Sequence, residues 1–106
     1  MAQVIAYARL NGYLAYHTHR SDRSEPGYPD LTLVRASPPD IVWVECKTER
    51  GRVSPAQQEW LDTLHAAGAD AYLWRPSDWD TVVARLGRPR NNRRAHLAHD
   101  PGPRAI

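Results

Sequence analysis

In 106 residues the chain has one cysteine, Cys46, one lysine, Lys47, and no acidic residue before Asp22. A lone cysteine can neither close an intrachain disulfide nor supply a thiolate-rich zinc site, which fits a reducing compartment. No apolar run approaches the roughly 20 residues that cross a bilayer. Nor does a basic N-terminal segment lead into an apolar stretch with a small-residue cleavage site. The expectation is a cytoplasmic protein without a membrane partner. Because every other basic side chain is an arginine, Lys47 is the one ammonium side chain available to a site.

The remaining composition is that of one ordinary globular domain, 42% hydrophobic and 25% charged. A net charge of +2 is a weak hint of a polyanionic partner. Its distribution says more, because arginines gather at Arg20 and Arg23, at Arg50 and Arg52, and from Arg88 through Arg94. Local positive charge of this kind suits a phosphate backbone.

Val4, Ile5 and Ala8 at helical spacing predict a first helix over 3–10, stopped at Asn11-Gly12. Residues 13–18 read as a strand, and the Pro26-Gly27 and Pro29 stretch as a loop. Leu31, Leu33 and Val34, then Ile41 to Val44, are two β-prone runs separated by Ser37-Pro38-Pro39, which predicts a hairpin. Ser54-Pro55 has the chemistry of an N-cap and first helical position, and Gly68 closes that helix. A short strand over 69–74 and a third helix beginning near Ser77-Asp78-Trp79-Asp80 complete the domain over 1–87. Residues 88–106 lose apolar periodicity and read as a basic, loosely docked tail. The order αβββαβα implies an α/β fold, a mixed sheet flanked by helices.

The hairpin turns sequence into geometry. Glu45 and Lys47 lie two apart on one strand and therefore share a face, while Cys46 points the other way. Counting from Arg35 and Ile41 sets Asp30 level with Cys46, so a one-residue bulge is needed to bring it to Glu45 and Lys47. Two carboxylates and an ammonium following an apolar run are costly to desolvate unless they pair or bind a cation. Asp30 and Glu45 offer hard oxygens suited to Mg²⁺ or Mn²⁺, with Lys47 placed to act on a water or a phosphate. Phosphodiester hydrolysis is the matching reaction.

Gly27-Tyr28-Pro29-Asp30, then Glu45-Cys46-Lys47, then Gly51 and Ser54-Pro55-Ala56-Gln57, resemble the VRR-NUC branch of the PD-(D/E)xK nucleases in its short stand-alone form. The resemblance spans roughly residues 3–86. It implies a restriction-endonuclease-like fold and Mg²⁺- or Mn²⁺-dependent DNA cleavage, in some members of branched or Holliday-junction DNA by homodimers. By position, Asp30, Glu45 and the Cys46 backbone carbonyl would hold the metal, Lys47 would be the catalytic lysine, and Gln57 would stand beside the site. The family's first helix carries an assisting glutamate, whereas here Gln3 is nearest and uncharged. A preceding segment, a water, or reduced activity would each account for that departure.

Other residues have blander readings beside their functional ones. Pro-Asp alone is a common turn and Glu-x-Lys alone a common surface ion pair. Their combination is what carries weight. His17 and His19 could share a strand face, but no third ligand has metal spacing. Arg20, Arg23, Arg50 and Arg52 are candidate phosphate contacts, against the reading of solvated loops. Trp43, Trp60, Trp74 and Trp79 read as core anchors before stacking platforms. The competing functional class is a DNA-binding or interaction module that keeps the nuclease scaffold with weak or lost catalysis.

Overall fold

The computed structural model describes residues 1–19 and 25–87. Arg20, Arg23 and the tail over 88–106 lie outside the described residues. The elements run α1 (Ala2–Leu10), β1 (Leu14–His17), β2 (Leu31–Ala36), β3 (Pro39–Cys46), α2 (Pro55–Ala66), β4 (Ala71–Trp74), a 3-10 turn (Pro76–Asp78) and α3 (Trp79–Leu86). The expected αβββαβα order and mixed sheet are present, with strands in the order β1-β2-β3-β4. β1, β2 and β3 are antiparallel neighbours, and β4 runs parallel to β3. A parallel pair needs a long crossover, which is the role of α2.

Alternation along the central strands decides which face is core. Leu31 and Leu33 of β2 pair with Val44 and Val42 of β3, and all four are fully buried. Val4 and Ala8 of α1 and Val82 and Leu86 of α3 cover this face, joined by Tyr13 and Trp74. Each large apolar side chain so buried contributes about 1.5–3 kcal/mol relative to exposure. Trp79 closes the α1–α3 seam edge-on to Tyr7, with ring centroids 5.6 Å apart. The opposite face is covered over β3 and β4 by α2, where Trp43 donates to the Tyr28 hydroxyl and Tyr28 packs edge-on against Trp60. The tryptophans therefore serve as packing anchors, as expected.

Local signals set α2 sharply. The Ser54 hydroxyl accepts from the Gln57 amide and the Gln57 side chain accepts from the Ser54 amide, forming a capping box with proline at the first position. Past its end, Gly68 has a φ of +87°, the left-handed conformation that glycine adopts without strain. Other expected limits shift by one or two residues, and α3 begins at Trp79 after the 3-10 turn. Among the described residues no helix is long and apolar enough to cross a membrane.

The hairpin register corrects the sequence count by one residue. The turn holds only Ser37 and Pro38, because β2 extends to Ala36 and β3 starts at Pro39. Proline is tolerated there as the first residue of a strand. Leu31 pairs with Val44, so the same register continued by one residue sets Asp30 opposite Glu45 rather than Cys46. Opposed residues of an antiparallel pair share a face. No bulge is required.

Candidate active site

Asp30 and Glu45 meet where β2 begins and β3 ends. Gly27 permits the approach of the loop before Asp30: its φ is +86°, and a Cβ there would lie 2.5 Å from the Ala56 backbone. The loop thus rests directly on the first turn of α2. The next residues bring Pro29, which is buried, and then Asp30, whose Oδ2 accepts from the Cys46 amide at 2.9 Å. The Asp30 carbonyl accepts from the Thr18 amide at 2.8 Å, anchoring the same residue to the end of β1. Asp30 is therefore fixed from both neighbouring strands.

Glu45 is only 2% exposed, a rare position for a carboxylate. Its Oε2 accepts from Gln57 Nε2 at 2.8 Å and lies 3.9 Å from the Lys47 ammonium. Its Oε1 is buried with no hydrogen-bond partner. Burial pushes the Glu45 pKa up, the nearby Asp30 charge adds to this, and Lys47 offsets only part, leaving it at about 7. Cys46 points to the core side, and its thiol is pushed up to about 11, chiefly by burial. A half-buried thiol of that kind stays protonated near neutral pH.

Gln57 is oriented from behind. Its Oε1 accepts from the Ser54 amide at 2.8 Å, so its amino end is the one turned to Glu45. The capping box therefore does two things: it starts α2 and it aims a donor at one carboxylate oxygen. Thus Asp30, Glu45, Lys47 and Gln57 are brought together at one end of the sheet. Arg50 and Arg52 are exposed on the segment that follows Lys47. His17 is exposed and stacks on His19, with centroids 6.2 Å apart. Among the described residues no group of three or more His, Cys, Asp or Glu could hold a metal ion, so that alternative for the histidines gains nothing.

Two features were missed in the sequence. Arg75 Nη1 donates to the carbonyls of Thr48, Glu49 and Gly51 at 2.7, 3.2 and 2.8 Å, bracing the segment after Lys47. Asp40 is held by Arg85 in a two-pronged ion pair at 2.7 and 2.9 Å and also accepts from the Tyr13 hydroxyl. Neither has a local sequence signal, since the partners are at least 24 residues apart.

The family model for the VRR-NUC domain matches residues 4–78, which include all four clustered side chains. A solved structure described as a VRR_NUC domain protein superposes with a TM-score of 0.54 at 17% identity, over 81% of this chain and 88% of that one. A search of curated proteins gives no match. At that identity the structural likeness speaks for the fold, a nuclease-type one, while the family match covers well over half of the chain. The chain belongs to the VRR-NUC domain family.

Proposed function

We propose that the chain is a Mg²⁺- or Mn²⁺-dependent DNA endonuclease, with Asp30, Glu45, Lys47 and Gln57 as its reacting site. The observation that carries this is Glu45 Oε1, a carboxylate oxygen buried without a partner next to a second carboxylate. Leaving such an atom unpaired is expensive, and a hard cation is the partner that removes the cost. Asp30, Glu45 and the Cys46 carbonyl would supply the oxygens; the remaining positions suit water, as magnesium sites commonly have few protein ligands. Bound there, a divalent ion supplies Lewis acidity and activates a coordinated water.

The chain's own groups divide the remaining work. Gln57 occupies Oε2 of Glu45 and so leaves Oε1 as the free oxygen. Lys47 places an ammonium where it can orient the attacking water and offset charge gathering on the scissile phosphate. Arg50 and Arg52, exposed beyond it, suit the flanking phosphates. Arg20 and Arg23 are proposed for the same role from sequence alone. Selectivity for branched or Holliday-junction DNA and assembly as a homodimer rest on the family resemblance. A two-fold pair would present two such sites to opposing strands. The proposed domain is 1–87, with 88–106 as a basic extension.

The test is cleavage of branched, flapped and linear DNA with Mg²⁺ or Mn²⁺, beside Lys47→Ala and Asp30→Asn. Cleavage by wild type with loss in both variants is expected; equal cleavage by all three sinks the assignment. A second reading, a DNA-binding module with weak or lost catalysis, is favoured by the acid-free α1, whose first turn has no acidic residue. It predicts salt-sensitive binding without turnover.

A further inference from the structure

We propose that Arg75 is a positioning residue for this site, clamping the segment that connects Lys47 to the Ser54 cap. Its catalytic consequence rests on the nuclease reading above; the clamp itself does not. Residues 47–54 form neither helix nor strand, yet Lys47 stands at one end and the Gln57 capping box begins at the other. The segment's own turn bond, from the Gly51 amide to the Thr48 carbonyl, is long at 3.2 Å, and further bracing comes from outside the segment. Arg75 Nη1 has two hydrogens and faces three carbonyls: those of Thr48 and Gly51 at 2.7 and 2.8 Å, and that of Glu49, shared, at 3.2 Å. From the other side, the Glu49 carboxylate accepts from the Ser77 amide. The two turns are latched in both directions.

Arg75 is itself held firmly. Its amide donates to Asp78 Oδ2 at 2.8 Å, and the carbonyl of the preceding Trp74 accepts from the Lys47 amide at 3.0 Å. The clamp is therefore a continuation of the β3–β4 ladder beyond the last strand pair, Cys46 with Trp74. Inside it, Gly51 lets the turn close on the lysine, since a Cβ there would sit 3.0 Å from Thr48 Oγ1 and 3.4 Å from Lys47 Cδ. Lysine has a long flexible stem. Where its ammonium rests depends on what confines that stem, and the clamped turn is one wall. Loss of Arg75 would leave the Glu49 and Gly51 carbonyls to water and that of Thr48 to its longer bond with the Gly51 amide, a small disturbance to the fold but a larger one to the placement of Lys47 and Gln57.

Three variants of the full chain, Arg75→Ala, Arg75→Lys and Glu49→Ala, test the clamp through steady-state cleavage and amide hydrogen exchange. For Arg75→Ala, kcat should fall on the order of 10- to 100-fold while KM stays within about twofold. Arg75→Lys should recover part of that loss, because an ammonium keeps donors but not the planar reach. Exchange over 47–57 should accelerate by roughly tenfold or more, with α1 and β2 unchanged. A rise in KM with unchanged kcat would instead make Arg75 a substrate contact and overturn the proposal, as would unchanged exchange over 47–57. If the wild type cleaves no DNA, the nuclease reading falls and exchange alone decides the clamp. Should Arg75→Ala fail to fold, Arg75→Lys and Glu49→Ala carry the same exchange criterion.

Discussion

Strand β3 has an acid near each end, Asp40 partly buried and Glu45 buried, and the two are treated in opposite ways. The Asp40 side chain is 11% exposed and that of Glu45 is 3% exposed, so both have given up most of their water. Burial alone would raise the Asp40 pKa, but the hydrogen bonds from Arg85 and Tyr13 and the Arg85 charge outweigh it and hold it below the ordinary carboxylate value. Glu45 has one amide donor and an ammonium 3.9 Å away, and its pKa rises to about 7. Asp40 is a finished structural contact joining the hairpin to α3. Glu45 is a contact left open, and its unpaired oxygen beside Asp30 is the feature on which the proposed cation site rests.

The sharpest way to break the comparison is to neutralise an acid at each end. Glu45→Gln or Asp30→Asn should lower DNA cleavage on the order of 10³-fold, a loss comparable with removing a principal charge-stabilising group. Both variants should stay folded, since the amide oxygen introduced in either case can still accept the hydrogen bond that the carboxylate receives, from the Cys46 amide or from Gln57. Asp40→Asn should instead leave the chemistry in place and lower the unfolding midpoint. Cleavage assays paired with thermal melts separate the cases. Loss of activity in folded Asp40→Asn, matched by none in Glu45→Gln, would invert the assignment.

Removing the partner rather than the acid tests the closed end. Arg85→Ala leaves the partly buried Asp40 with the Tyr13 hydroxyl but without its guanidinium, at a cost on the order of 2–3 kcal/mol. Against a total stability on the order of 5–15 kcal/mol, that is a large fraction. The measurement is chemical denaturation, and a change below about 1 kcal/mol, the scale of an exposed pair, would show that Arg85 contributes little. The corresponding change at the open end, Lys47→Ala, should barely alter stability.

Acid and base separate the two ends again, with opposite signs. A carboxyl ordinarily ionising at 4.5 that ionises at about 7 when folded keeps a proton the unfolded chain has already lost. Stability from Glu45 is therefore highest below the lower value and declines as pH rises through that window, by about 3 kcal/mol at most. Glu45→Gln should flatten this decline. Asp40, lowered on folding, contributes stability above the ordinary carboxylate range and loses it as pH falls through its folded pKa. Added Mg²⁺ or Mn²⁺ should raise the wild-type midpoint more above pH 7 than below pH 5, because only the ionised pair binds a hard cation well. A pH-independent metal shift would count against Glu45 as ligand.

How much of this is legible in the sequence depends on sequence distance. The start of α2 is, because Ser54, Pro55 and Gln57 speak to one another within four residues. Glu45 and Lys47 on one face follow from the two-residue period of a strand. The Asp30 register differs from the sequence count because the turn holds two residues rather than five, and the proline at 39 begins a strand instead of preceding it. The Asp40–Arg85 pair spans 45 residues, and Arg75 reaches back 24 to 27, so only the folded sheet brings them together. Local chemistry announces itself in sequence, whereas cross-links between elements do not.

The smallest effect concerns how the open end is aimed. Ser54 contributes two separable things: its hydroxyl accepts from the Gln57 amide at 3.1 Å, and its own amide donates to Gln57 Oε1 at 2.8 Å. Ser54→Ala removes the first and keeps the second, so it should cost about 1 kcal/mol of stability while cleavage changes little. Ser54→Pro removes both, and its backbone is compatible with proline at a φ of −75°. Without that donor the Gln57 amide can turn its oxygen towards Glu45 Oε2, an unfavourable contact that would loosen the carboxylate. Cleavage should then fall further than in Ser54→Ala at similar stability. Equal activity in the two variants would mean that Gln57 is aimed by its packing on α2 rather than by the cap.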